Sequence, residues 1–221
     1  MQLVFTAQRT TRLRCAVVFS DGILARIAIL RAAAFLGVAL AASGACAQSS
    51  IDPARGKAKS AACEACHGTQ DRPSLPGTPW LAGQQEDFIS LQMFLFREEL
   101  RVAPQMAGAL KGFSDYDLVD VAAYFGRQKP PSRGNTQPDP KLHARGAELS
   151  KRMGCGTCHF QDFRGQKQIP RLANQREDYL AATMKAYRDN KRTGADTNMN
   201  GILYKAPDAD IEALAHFLAH Q

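Results

Sequence analysis

Cys63-Glu64-Ala65-Cys66-His67 places two thiols three positions apart, with a histidine directly after the second. The pattern returns as Cys155-Gly156-Thr157-Cys158-His159. Neighbouring blocks return with it and in the same order, as a duplication requires. Pro79-Trp80-Leu81-Ala82-Gly83-Gln84 recurs as Pro170-Arg171-Leu172-Ala173-Asn174-Gln175, and Glu86-Asp87-Phe88-Ile89 as Glu177-Asp178-Tyr179-Leu180. Met106 precedes Leu118-Val119-Asp120-Val121-Ala122-Ala123-Tyr124-Phe125. Met199 precedes Ile211-Glu212-Ala213-Leu214-Ala215-His216-Phe217-Leu218 in the same way. The chain reads as one domain written twice.

Two thiols at this spacing on the end of a helix can reach the two vinyl groups of one porphyrin edge and add across them as thioethers. The histidine that follows is carried under the ring, where its imidazole can bind iron. Cys63, Cys66, Cys155 and Cys158 are therefore expected to hold two covalent c-type haems, with His67 and His159 as iron ligands. Other readings of the cysteines fit less of the pattern. A zinc site would have to gather four ligands from two separate domains. A thioredoxin-like pair would want a βαβ setting, and two short disulfides would leave both histidines without a purpose.

A second axial ligand must come from elsewhere. Met93 and Met184 sit among apolar neighbours inside a helical pattern and are expected to fill core, as is Met153. Met106 and Met199 lie in irregular stretches rich in Gly, Pro and Asn, 39 and 40 residues after their histidines. A loop can carry a thioether over the opposite ring face, so these two are the expected sulfur ligands, favouring ferrous iron. His143, His216 and His220 lack counterparts in the first half and are expected to be solvated or helix-terminal. Pro79 and Pro170 stand 12 and 11 residues after the histidines. Their carbonyls could accept the imidazole Nδ1–H, or they could simply mark turns. Arg97 with Arg188, and Arg101 with Arg192, could neutralise propionates or be solvated cations at helix ends.

Of 221 residues, 45% are hydrophobic and 22% charged, which excludes wholesale disorder. The formal charge of +7 is unevenly placed. Residues 1–47 carry five arginines against one aspartate, then an apolar stretch at 32–42 and the small-residue sequence Ala45-Cys46-Ala47. This is the order of an export signal, too short in its apolar part to span a bilayer. The remaining 23 basic and 20 acidic side chains leave +3, so nucleic-acid binding loses its support. The expected organisation is a signal peptide over 1–47, one domain over 48–131 and a second over 132–221. The linker, about 129–140, holds four prolines and cannot continue a helix.

Within each half the apolar spacing is helical and no strand alternation stands out. Helices are predicted from Pro53 to about Cys63, from Gln85 to Arg97 and from the N-cap Ser114 onward. Their copies are predicted from Pro140 to about Cys155, over 177–188, and from Pro207 or Asp208 to the chain end. In the second helix Phe88, Leu91, Gln92 and Leu95 mark the expected inner face. The fold class is all-α, two tandem domains, each a small helical bundle around a covalent haem. Each half is near the lower limit for a self-sufficient core, and the porphyrin would complete it.

The chain resembles the dihaem cytochrome c4 family, two fused class I cytochrome c domains, over about residues 52–220. The resemblance rests on the two thiol–histidine blocks, residues 79–84 and 170–175, Met106 and Met199, and residues 118–125 and 211–218. It implies His67/Met106 and His159/Met199 as axial pairs. It also implies a periplasmic carrier, in some members membrane-associated, passing electrons by outer-sphere transfer toward a terminal oxidase. The related alternative is a haem-bearing, electron-accepting subunit of a periplasmic dehydrogenase such as a sulfide-oxidising flavoenzyme. A dihaem peroxidase would need an iron with an open site and a longer chain, so no enzyme activity is expected. Two departures stand out: Gly68 is matched by Phe160, and Gly83 by Asn174.

Overall fold

The computed structural model describes residues 50–69, 74–132, 136–192 and 198–221. The predicted signal peptide lies outside them. The described chain from residue 50 onward belongs to one compact unit. Helix α1 is Pro53–His67 and α2 is Glu86–Arg97, followed by a 3₁₀ turn at Pro104–Met106 and by α3, Asp115–Gly126. The second half supplies α4, Pro140–Arg152; α5, Cys155–His159; α6, Glu177–Arg188; α7, Asn198–Ile202; and α8, Asp208–Ala219. Among the described residues the sole strand-like pairing is an isolated bridge between Gln166 and Ile169. The fold is all-α. No described helix is long and apolar enough to cross a membrane. The described parts of the linker, 129–132 and 136–139, carry neither helix nor strand.

Local chemistry explains the helix ends. Asp52 caps α1, accepting from the Ala54 and Arg55 N–H groups, with Pro53 in the first turn where its missing N–H costs nothing. Ser114 caps α3 in a reciprocal box with Asp117. Helix α1 runs one turn beyond the predicted end, through the whole thiol–histidine block, and stops at Gly68 with φ 76°. The copy differs. Where the first half has Ala62, the second has Gly154, whose φ of 69° breaks the run into α4 and α5.

In each half the first and last helices cross closely, α1 on α3 and α4 on α8. A Cβ on Gly56 would lie 2.9 Å from the Val121 nitrogen and closer still to the Asp120 carbonyl. One on Gly146 would lie 2.9 Å from the Ala213 carbonyl carbon and closer to its oxygen. Only glycine permits that approach. Helix α2 packs on α3, and α6 on α8. The first core gathers Ile89, Met93, Leu110, Leu118, Val121 and Phe125; the second includes Leu149, Phe163, Leu180, Met184, Ile211 and Leu218. Met93 and Met184 are core, as expected, and Met153 packs against it. On α2, the buried stripe is Ile89, Gln92, Met93 and Leu95. Phe88 and Leu91 are half-buried. Gln92 and Leu95 lie on the buried face as expected, while Ile89 and Met93 take the place of Phe88 and Leu91 because apolar residues occupy both candidate stripes.

The copies also secure their first helices differently. The Asp52 N–H donates to Asp120 Oδ1 at 2.6 Å, and Arg55 Nε donates to Asp120 Oδ2 at 2.7 Å. In the second half the Asp139 N–H donates to His216 Nε2 at 2.9 Å. His216 Nδ1 faces the Glu177 carboxylate at 3.1 Å. His216 is helix-terminal but buried, not solvated, because it replaces the carboxylate as the acceptor for the N-cap residue. Burial works to raise the Asp120 carboxyl, but the Asp52 N–H and the Arg55 guanidinium outweigh it and hold it below the usual range.

Candidate metal centres

Helix α1 ends by presenting Cys63, Cys66 and His67; α5 presents Cys155, Cys158 and His159. The four thiols are free, the first of each pair half-buried and the second exposed. Burial pushes the Cys63 and Cys155 thiols up. His67 Nδ1 lies 2.8 Å from the Pro79 carbonyl oxygen, and His159 Nδ1 lies 2.8 Å from the Pro170 oxygen. A carbonyl only accepts, so Nδ1 carries the hydrogen in both rings and Nε2 keeps its lone pair. Burial holds both imidazoles below the usual histidine range, with the carbonyl bond acting the other way. A neutral ring with a free Nε2 is the form a metal ligand needs. The two prolines are thus more than turns.

Met106 closes the 3₁₀ turn and packs, half-buried, at the edge of the first core, as Cys63 does. Met199 sits in α7 and packs at the edge of the second core, as Cys155 does. Both stretches were expected to be irregular loops and are short helical turns instead. Pro104 pre-sets the backbone of the first, and a 2.6 Å bond from Asn200 Nδ2 to Asn190 Oδ1 braces the second.

Arg97 and Arg188 are engaged within the protein rather than left to solvent. Arg97 donates to the Phe113 carbonyl and to Asp115; Arg188 donates to the Ala206 carbonyl and to Asp208. They tie the end of the second helix of each half to the start of its last. Arg101 and Arg192 behave otherwise. Both are half-buried, both donate to Gln92 Oε1, and the Arg192 Nε is buried without a partner. Tyr179 between them is lowered to about 8, because the two guanidiniums outweigh its burial. Two converging cations that face phenols and an amide oxygen suit added carboxylates, such as those a haem carries. The donor set and this cationic pair fit two covalent haems.

The halves are joined by a near-symmetric set of bonds. Gln84 Nε2 donates to the Arg171 carbonyl at 2.9 Å, and its Oε1 accepts the Arg171 N–H at 2.6 Å. Gln175 Nε2 donates to the Trp80 carbonyl at 3.0 Å, and its Oε1 accepts the Trp80 N–H at 2.8 Å. Asp178 Oδ2 accepts the Gly77 N–H at 2.9 Å, and Gln85 Nε2 donates to the Arg164 carbonyl at 2.8 Å. The glutamines escaped notice as functional residues. Their signal was present: each closes a repeated block and is the same residue in both copies.

Asn174 keeps the left-handed backbone of Gly83, φ 59° against 67°, which asparagine tolerates. Phe160 keeps the conformation of Gly68, at φ 63° and ψ 162°, a region costly to any residue with a Cβ. Its ring is covered by the Arg164 guanidinium at 4.4 Å.

The cytochrome c family model matches residues 143–221. Cytochrome c4 of Pseudomonas aeruginosa is 36% identical over 178 residues, covering 76% of this chain and 87% of that protein. A thiosulfate dehydrogenase electron acceptor of Thiomonas intermedia is 29% identical, covering 74% and 80%. The crystal structure of reduced cytochrome c4 from Pseudomonas stutzeri superposes with a TM-score of 0.70 at 32% identity, covering 76% of this chain and 97% of that one. Fold, repeated site and relatives together define a c-type cytochrome with two covalent haems, an electron-transfer protein. The chain belongs to the cytochrome c4 family.

Proposed function

We propose that Cys63 and Cys66 hold one haem and Cys155 and Cys158 the other, with His67/Met106 and His159/Met199 as the axial pairs. The observation that carries this assignment is the paired histidine–proline bond, which leaves Nε2 of each ring available beside two free thiols. Bound haem supplies a one-electron couple. The chain's part is to fix the ring tautomers, bring a thioether to each centre and exclude water with the two cores. Two strong-field ligands per iron leave no open position, which argues against peroxidase turnover. The domain division at about residue 131, and export to the periplasm by residues 1–47, belong to the same proposal.

Residues 48–131 carry nine basic against ten acidic side chains, and residues 132–221 carry fourteen against ten. The second half is thus the end suited to acidic redox partners, and transfer there should slow as salt rises. Optical spectra and intact mass of the exported protein test the assignment: two haems added, and the weak sulfur-to-iron absorption in the oxidised form. Met106→Ala should let cyanide bind one centre without affecting the other. Rapid cyanide binding to unmodified protein, or no added tetrapyrrole, overturns it. The relatives named as thiosulfate dehydrogenase electron acceptors favour a second reading, a haem protein serving one dehydrogenase. A stable stoichiometric complex on gentle purification would support that reading over a free carrier.

A further inference from the structure

The Pro79–Trp80 peptide is engaged at both ends. Its carbonyl faces His67 Nδ1 at 2.8 Å, while its N–H donates to Gln175 Oε1, from the other half, at 2.8 Å. The Pro170–Arg171 peptide repeats the arrangement, its carbonyl facing His159 Nδ1 at 2.8 Å and its N–H donating to Gln84 Oε1 at 2.6 Å. Each glutamine oxygen also accepts a second main-chain N–H, from Gln85 or Arg176, both at 2.9 Å. With Nε2 of each side chain aimed at a carbonyl, the amide orientations are fixed by the network. Both glutamines are 7% exposed, so water does not compete for these bonds.

Hydrogen bonds in series through one peptide reinforce each other. An acceptor on the N–H draws electron density toward the carbonyl oxygen, which then pulls harder on the imidazole hydrogen. The ring becomes more basic at Nε2, a ferric ion beneath it is favoured and the reduction potential falls. We propose that Gln84 and Gln175 are crossed positioning residues, each setting from one half the potential of the iron centre in the other. The inference rests on His67 and His159 being the axial ligands. It also gives the contact between the halves an electronic role: separating them would loosen both relays together.

The test is a redox titration of the haem-loaded protein and its Gln175→Met and Gln84→Met variants. NMR resonances of the haem methyls and axial side chains assign each centre. Gln175→Met should raise the ferrous-to-ferric ratio of the His67 centre about two- to fourfold at fixed applied potential, roughly 18–36 mV at 59 mV per tenfold. It should move the His159 centre less, and Gln84→Met should do the reverse. Gln85→Ala, which breaks a bond between the halves without touching either peptide, should give no crossed shift. If the methionine variants fail to accumulate, Gln→Asn withdraws the acceptor by one methylene and stays polar. A shift as large in the variant's own half, or no shift, overturns the relay while leaving the ligand assignment intact. Loss of histidine signals from the iron coordination of unmodified protein would overturn the ligand assignment and the relay with it.

Discussion

Replacing Gly146 by alanine adds one methyl group at the closest approach of α4 to α8. The new Cβ would sit 2.9 Å from the Ala213 carbonyl carbon, and nearer still to its oxygen and to Phe217 Cβ, where ordinary contact begins at 3.4 Å. The obstacles are main chain and a Cβ, so no rotamer change relieves them, and α8 must move outward by half an ångström or more. Overpacking of this kind costs about 1–3 kcal/mol, and a rigid obstacle places it near the upper end. Alanine's better helix propensity returns about 1 kcal/mol. The expected net loss is about 2 kcal/mol. For a half of this size each kcal/mol moves the midpoint by about 4–8 °C, so the second half should melt roughly 8–16 °C lower. Far-UV circular dichroism of the haem-loaded protein reads this directly. Gly201→Ala, whose Cβ meets nothing within 4 Å, serves as the control and should be neutral or slightly stabilising. A Gly146→Ala midpoint equal to the parent's would refute the close crossing.

Gly68→Ala should destabilise by about 1–3 kcal/mol in urea denaturation, because φ 76° and ψ 178° are costly to any residue with a Cβ. Asp120→Ala should cost about 1–3 kcal/mol by leaving the Asp52 N–H without its buried acceptor, and a loss under 0.5 kcal/mol would contradict that role. The Arg176 guanidinium holds Asp178 down to about 2, below its unfolded value near 3.9. Its contribution is therefore complete above about pH 4 and is lost as pH falls through 2. Small-angle scattering should show the halves loosening in that window, and Asp178→Asn should reduce the pH dependence.

What could be read from the chain was what short-range chemistry decides. The helix start at Pro53, the Ser114 cap and the span of α6 follow from residues within a turn of one another. The thiol–histidine blocks disclose their chemistry by spacing alone. The extension of α1 through His67 was missed because Gly68, not the cysteine, is the stop. The break at Gly154 needed attention to a single Ala-to-Gly exchange between copies. The proline carbonyls could be proposed from their offset but not chosen over plain turns. Gln84 stands out as a repeated residue, but what it and His216 bind could not be read. Their partners lie 87 and 77 positions away, and only the assembled helices bring them together.

The Asp120 and His216 anchors carry a consequence for how a twice-written chain avoids tangling with itself. Sister helices of similar shape invite exchange, α1 lying on α8 or α4 on α3. Were α1 to take α8, the Asp52 N–H would find Ala213 where it now finds the Asp120 carboxylate. Asp120 would keep a cation, since Arg145 precedes Gly146 as Arg55 precedes Gly56, but it would lose that N–H, and a hydrogen bond to a charged group is worth about 1.5–3 kcal/mol. The divergence between the two anchors therefore acts as a private key for each half, keeping descendants of one ancestral module from claiming each other's partners during folding.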